Sequence, residues 1–178
     1  MKSTETTMVL QRPPVFESVF DMVGVTPMYR LPLKGARCDL YLKLEKYNPG
    51  QSVKDRAARN MILEAERRGR LKSGDTIIES SSGNTGISLA MLAAARGYRF
   101  ICVVDNHVAP EKVELLKAYG AIIERVGEHL PPDYHAAKER VEKVTQLCET
   151  NPEALFIDQG DNLDNRDAHY LSTGMEIL

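Results

Sequence analysis

Thr76-Ile77-Ile78-Glu79-Ser80-Ser81-Ser82-Gly83-Asn84-Thr85-Gly86-Ile87-Ser88-Leu89-Ala90-Met91-Leu92-Ala93-Ala94-Ala95-Arg96-Gly97 is the stretch whose reading decides the fold. Thr76 to Glu79 is short, apolar and β-branched, as a buried strand is. Ser80 to Gly86 is a tight polar loop. Ile87 to Arg96 is apolar on nearly every side, which predicts a helix buried from both directions, and Gly97 stops it. A second apolar strand, Arg99 to Val104, follows at once and ends at Asp105. Strand, helix and strand in about thirty residues form a β-α-β unit, which needs a parallel sheet.

The pattern continues on either side. Downstream, Pro110 fits the first position of a helix reaching Tyr119, with Gly120 as its stop, and Ala121 to Val126 predicts a strand. Pro131-Pro132-Asp133 opens a long helix to Glu149, Leu155-Phe156-Ile157 is a last buried strand, and a final helix covers Ala168 to Leu178. Upstream, Ser52 reads as the N-cap of a helix to about Arg68, with Asp55 in its first turn. Its buried stripe is Ala57, Ala58, Met61, Ile62 and Ala65, and Gly69 ends it. Met28 to Leu33 and Asp39 to Glu45 read as strands, the second alternating through Leu40, Leu42 and Leu44. Val15 to Met22 has helical spacing, and Gly24-Val25-Thr26-Pro27 is a turn. The expected class is α/β, a twisted parallel sheet with helices on both faces.

Composition narrows the function. The 178 residues carry 23 basic and 25 acidic side chains, so no strong field draws the chain to nucleic acid or to an acidic membrane. No apolar run approaches the ~18 residues of a membrane helix. Met1 to Arg12 is polar and lacks the apolar core of a secretory signal. Cys38, Cys102 and Cys148 are widely spaced, which suits reduced thiols in a cytoplasmic protein, with Cys102 a small core residue. His107, His129, His135 and His169 lack metal-ligand spacing and read as exposed, so no metal site is expected.

Two places can do chemistry. Lys54 stands in the first turn of a helix, where the dipole disfavours an ammonium, and a free amine is what imine chemistry needs. Taken alone, the same lysine also reads as a solvated surface group. The Ser81-Ser82-Gly83-Asn84-Thr85-Gly86 loop offers hydroxyls, an amide and backbone N–H groups at a helix start, an anion site for carboxylate or phosphate. Gly83 and Gly86 are expected to let backbone approach a ligand closely. A capped strand-to-helix turn explains the loop equally. Asp105 sits where a ribose-binding acid would, but Gly83-x-x-Gly86 is not the G-x-G-x-x-G of dinucleotide sites.

Together these segments resemble one family. Lys43-Leu44-Glu45 with Asn48-Pro49-Gly50-Gln51-Ser52-Val53-Lys54-Asp55-Arg56 is similar to the cofactor-lysine segment of cysteine synthases, which are tryptophan synthase β-like, fold-type II pyridoxal-phosphate enzymes. Gly24-Val25-Thr26-Pro27 resembles the family's G-x-T-P turn, and Ser81 to Gly86 its [TS]-S-G-N-T-G loop. Gln159, Asn162, Asn165, His169 and Tyr170 follow its Q-F-x-N-P-x-N-x-x-x-H-Y pattern, and Ser172 to Ile177 resembles T-T-G-P-E-I. Within the family, Cys102-Val103-Val104-Asp105 and the Asn-Pro-Gly loop most resemble the enzymes that join O-phosphoserine to glutamate, giving N-(2-amino-2-carboxyethyl)-glutamate.

The resemblance implies that Lys54 binds pyridoxal phosphate covalently and, once displaced by an amino-acid substrate, removes its Cα proton. It implies that Asn84 holds the cofactor ring and that Ser81, Ser82, Gly83, Thr85 and Gln159 grip the substrate carboxylate. It divides the chain into an N-terminal arm and helix (1–22), a strand segment of an incomplete large domain (23–37), a small α/β domain (38–162, mobile over about 100–146) and the start of the truncated large domain (163–178). Gly160 and Leu163 stand where the family has Phe and Pro. The family's glycine-rich phosphate loop has no counterpart in this sequence. The expectation is therefore half of a β-replacement enzyme, a homodimer or the partner of a complementary chain. The alternative is a catalytically silent binding or regulatory module.

Overall fold

An antiparallel pair comes first, β1 (Met28–Leu31) and β2 (Leu40–Lys43), with Met28 opposite Lys43 and Leu31 opposite Leu40. The helix α1 (Lys54–Arg67) follows, then β3 (Thr76–Ser80), α2 (Asn84–Arg96), β4 (Arg99–Val104), α3 (Pro110–Ala118), β5 (Ile122–Arg125), α4 (Ala137–Thr150) and β6 (Leu155–Phe156). The chain closes with α5 (Leu163–Ala168), a π-helical turn (His169–Thr173) and α6 (Gly174–Ile177). This computed structural model describes residues 13–131, 134 and 136–178.

The second sheet is parallel, in the order β5-β4-β3-β6. Alternation along β3 sends Ile77 to one face and Ile78 to the other. Ile77 joins Phe100, Cys102 and Val104 against α1, α2 and α3. Ile78 joins Ile101 and Val103 against Val144 and Leu147 of α4. Helices therefore cover both faces, as the sequence predicts. Every residue of α2 from Thr85 to Ala93 is buried, which is why its apolar residues run all round. Burying Leu89 or Leu92 there stabilises by roughly 2 kcal/mol each. The stripe Ala57, Ala58, Met61, Ile62 and Ala65 of α1 is buried as expected.

Other expectations change. Val15 to Met22 is not a helix; only Val19–Met22 forms a 3-10 turn, anchored by buried Phe20, while Val15 and Phe16 are exposed. The alternation in β2 does not bury a face: Leu40 and Leu42 remain 42% and 40% exposed. Alternation creates an apolar face but needs a second layer to cover it, and none of the described residues supplies one. Ser52 is not the N-cap of α1; Val53 is, with no side-chain cap, although Ser52 Oγ accepts from the Lys54 N–H at 3.2 Å. α2 starts at Asn84 rather than Ile87, and the last helical run starts at Leu163 rather than Ala168. α4 starts at Ala137; Pro132, Asp133 and His135, like Met1 to Arg12, lie outside the described residues.

Candidate active site at the start of two helices

Lys54 is the first residue of α1 and is half-buried. Among the described residues its Nζ makes no hydrogen bond or ion pair. Asp55, beside it, is fully buried and accepts hydrogen bonds from Ser88 Oγ and the Gly50 N–H. A Cβ on Gly50 would lie 2.4 Å from Asp55 Oδ1, so only glycine lets the Asn-Pro-Gly loop close on that carboxylate. Burial pushes the Asp55 carboxyl above its usual range, against the opposing hydrogen bonds from Ser88 and Gly50. Ser88 is in the early part of α2, so the Asp55–Ser88 bond ties the start of α1 to the start of α2.

The Ser81–Gly86 loop opens α2. Ser81 Oγ accepts from the N–H groups of Gly83 (3.2 Å) and Gly86 (3.1 Å), and the Cys102 thiol donates to the Ser81 carbonyl at 3.2 Å. Burial raises the Cys102 thiol to about 12, so it is an inert core group. A Cβ on Gly86 would meet the Ser81 carbonyl at 3.0 Å and Cys102 Sγ at 3.2 Å. Gly86 thus serves packing inside the loop, against Ser81 and Cys102. A Cβ on Gly83, at the N-cap, would meet Ser81 Oγ at 4.0 Å, an ordinary contact. Among the described residues the Ser82 hydroxyl, the Asn84 side chain and the N–H groups of Ser82, Asn84 and Thr85 make no hydrogen bond. These donors converge on a helix start, where an anion is favoured.

Gln159 is held against this loop. Its Oε1 accepts from Thr85 Oγ1, its N–H donates to Glu79 Oε2 at 3.0 Å, and its carbonyl accepts from Asn165 Nδ2 at 3.0 Å. Burial pushes Glu79 above its usual range, against the N–H donors of Gln159 and Ser80. His169 is half-buried rather than exposed, with Nδ1 3.0 Å from Thr173 Oγ1. Burial, then the positive charges of Lys54 and Arg56, hold its imidazole below the usual range, hence neutral. The structure therefore brings Thr85 to Gln159 and His169 within electrostatic reach of Lys54.

Next to Lys54 lies a polar junction. Arg56, its side chain only 1% exposed, pairs with Glu45 at 2.7 Å and with Glu176 at 2.6 Å. Lys43 pairs with Glu176 at 2.6 Å, and Thr26 Oγ1 donates to Glu45 at 2.6 Å. The Val25 N–H, on a residue at φ 48°, donates to Glu176 at 2.9 Å, and Asn48 bridges the Gly24 N–H and Glu45. The sequence alone does not mark Glu45, Arg56, Glu176 or Glu79 as functional. The available signal was an arginine inside an apolar helix stripe and a glutamate ending a buried strand.

Asp105 is engaged otherwise: it pairs with Arg140 at 3.3 Å and accepts from the His107 N–H at 3.1 Å. Among the described residues no group of three or more His, Cys, Asp or Glu could hold a metal ion, and no helix is long and apolar enough to cross a membrane.

Comparison with known proteins fits this arrangement. Residues 19–178 match the family model "Pyridoxal-phosphate dependent enzyme". A probable cysteine synthase of Bacillus subtilis is 47% identical over 162 residues, covering 88% of this chain and 50% of that protein. A putative cysteine synthase of Sinorhizobium fredii is 45% identical over 152 residues, covering 85% of this chain and 45% of that protein. A crystal structure of O-ureido-L-serine synthase superposes with a TM-score of 0.84 at 41% identity, covering 93% of this chain and 51% of that one. The chain spans about half the length of these relatives. On the motifs, the parallel sheet and these matches, the chain belongs to the family of pyridoxal-phosphate dependent enzymes and is similar to cysteine synthases within it.

Proposed function

We propose that this chain carries the lysine and the carboxylate-binding side of a β-replacement enzyme acting on an O-activated L-serine. The observation that carries this reading is the Asp55–Ser88 hydrogen bond, which sets the Lys54 turn beside the unsatisfied donors of the Ser81–Gly86 loop. The residues present fit the aldehyde and ring side of pyridoxal phosphate. Lys54 offers an amine without a partner among the described residues, and exposed Asn84 offers an amide at the helix start for the ring oxygen. When bound, the cofactor supplies the electron sink for the charge left at Cα.

The chain's own residues do the rest. Ser82, the N–H groups of Asn84 and Thr85, and Gln159 bind and orient the substrate carboxylate, while Ser81 and Gly83 shape the loop that presents them. Lys54 Nζ takes the Cα proton as general base. The β-substituent leaves with its bonding pair, and a nucleophile forms the new bond at Cβ. Neutral His169 adds no positive charge beside Lys54. For the finer substrate pair we propose O-phosphoserine and glutamate, supported by the resemblance of Cys102 to Asp105 and of the Asn-Pro-Gly loop.

Mixing the purified chain with pyridoxal phosphate should give a visible band that borohydride fixes on Lys54, found by peptide mass mapping. A folded chain with no adduct at Lys54, or with label spread evenly over its lysines, refutes the reading. The free donors of the loop also support a second reading, a cofactor-independent module for amino-acid carboxylates. Calorimetric binding of L-serine without cofactor, with no Lys54 adduct, would select it.

A further inference from the structure

Glu79 is a carboxylate 5% exposed at the carboxyl end of a central strand, and among the described residues no cation pairs with it. Such a group is costly to bury. Its neighbours along β3, Ile77 and Ile78, are apolar, and its partner across the sheet is Cys102. An apolar residue would suit the position better if packing were its only task.

The sheet geometry shows the other task. β6 pairs with β3 at Ile77–Leu155 and Ile78–Phe156, and the ladder ends with the Ile157 N–H on the Ile78 carbonyl at 3.1 Å. Asp158 then turns the chain with φ 54°, a left-handed conformation that a non-glycine residue adopts only when its surroundings impose it. Beyond that turn the Gln159 N–H has left the ladder. Glu79 replaces the missing strand carbonyl: Oε2 accepts from the Gln159 N–H at 3.0 Å, while Oε1 accepts from the Ser80 N–H at 2.8 Å. One carboxylate thus holds the entry to the Ser81–Gly86 loop and the residue facing it.

We propose that Glu79 is a positioning residue: it fixes the Gln159 main chain where β6 leaves the sheet, so that the Gln159 amide meets Thr85 at the mouth of the loop. Asn165 anchors the Gln159 carbonyl from the other side, and Thr85 takes Oε1, which leaves the amide nitrogen as the donor presented to a ligand. The ligand half of this inference rests on the proposed carboxylate site; the geometric half does not.

The test uses E79Q and E79D in the full chain. E79Q places an amide N–H against an N–H, and E79D withdraws the carboxylate by one methylene while keeping its charge. In whichever variant folds, the Gln159 amide should exchange with solvent about tenfold faster or more, with Lys54 adduct formation unchanged. In the cofactor-loaded protein, the spectral titration with L-serine should weaken by a similar factor. In a Q159A background, E79Q should cause no further weakening, because the residue it positions is gone. Unchanged Gln159 exchange in a folded variant overturns the proposal. So does equal weakening by E79Q with and without Gln159, which is the signature of a merely structural role. If neither variant folds, Glu79 is a stability element and the proposal is wrong. If the loaded wild type ignores L-serine while Gln159 exchange still responds to E79Q, the carboxylate site fails and the positioning role survives.

Discussion

The Arg56 junction and the Ser81–Gly86 loop are both built from family-like motifs, yet their polar groups are used in opposite ways. At the junction every side-chain nitrogen and oxygen of Lys43, Glu45, Asn48, Arg56 and Glu176 has a partner. At the loop, Ser81 is consumed in shaping the turn and the Thr85 hydroxyl donates to Gln159, while the Ser82 hydroxyl, the Asn84 amide and the N–H groups of Ser82, Asn84 and Thr85 are left over among the described residues. Saturation marks a device that holds segments together; surplus is what the proposed carboxylate site would draw on. The carboxylates follow the same division. Burial pushes Glu45 up, but hydrogen bonds from Arg56, Thr26 and Asn48 outweigh it and hold the group below its usual range. Asp55 and Glu79, behind the loop, have no cation among the described residues and are raised by burial.

The largest effect that could break this division is at Arg56. Replacing it by Met leaves Glu45 and Glu176 without their shared cation in a largely buried setting. Such a loss is expected to cost about 3–5 kcal/mol. The measurement is the urea midpoint at unchanged denaturant slope. A cost below about 1 kcal/mol would show that the junction is not what ties Thr26, Glu45 and the last helical turn together.

The two regions were unequally legible in the sequence. The parallel sheet could be read because Ile77-Ile78 and Phe100 to Val104 are continuous apolar runs flanked by Gly and Pro, signals that act within a few residues. The loop could be read because hydroxyls and glycines between a strand and a helix are also a local signal. The junction joins residues as far apart as Arg56 and Glu176, which no spacing rule connects. Charged residues read as surface until a fold pairs them. Glu79 was hidden for the same reason: its partner, Gln159, lies 80 positions away. The exposed faces of β1 and β2 show the converse, since Leu40 and Leu42 have the right alternation and no covering layer among the described residues.

A smaller effect sharpens the comparison through pH. Hydrogen bonds from Arg56, above all, hold the Glu176 carboxyl down at about 2, well below its unfolded value near 4.5. A carboxyl depressed in the fold contributes stability that is complete above the unfolded value and lost as pH falls through the folded one. Between about pH 5 and 2 the junction should therefore lose on the order of 1–2 kcal/mol through Glu176, once solvent screening of this partly exposed group is allowed for. Asp55 and Glu79 act with the opposite sign. Their raised values mean that protonation relieves a burial cost, so acid favours the fold at those two positions. Melting temperatures across this range should fall more steeply in E79Q than in wild type, and least steeply in R56M. An identical slope in all three would show that the two sets of carboxylates do not differ.

The smallest effect probes the surplus side. Ser82 is half-buried, and its hydroxyl and N–H have no partner among the described residues. Ser82→Ala removes an unused hydroxyl, so stability should stay within about 0.5 kcal/mol of wild type. Binding should not stay unchanged. A hydroxyl that donates to a carboxylate contributes on the order of 1–2 kcal/mol, which is roughly tenfold in the L-serine titration of the cofactor-loaded chain. That pairing of a neutral stability change with a weakened ligand is what separates an unsatisfied donor kept for a ligand from one that merely faces water. If S82A binds L-serine as wild type does, the surplus at this loop is ordinary hydration, and saturation alone cannot tell the two regions apart. If S82A instead loses stability comparable to R56M, the hydroxyl has a structural partner, and the loop belongs on the saturated side with the junction.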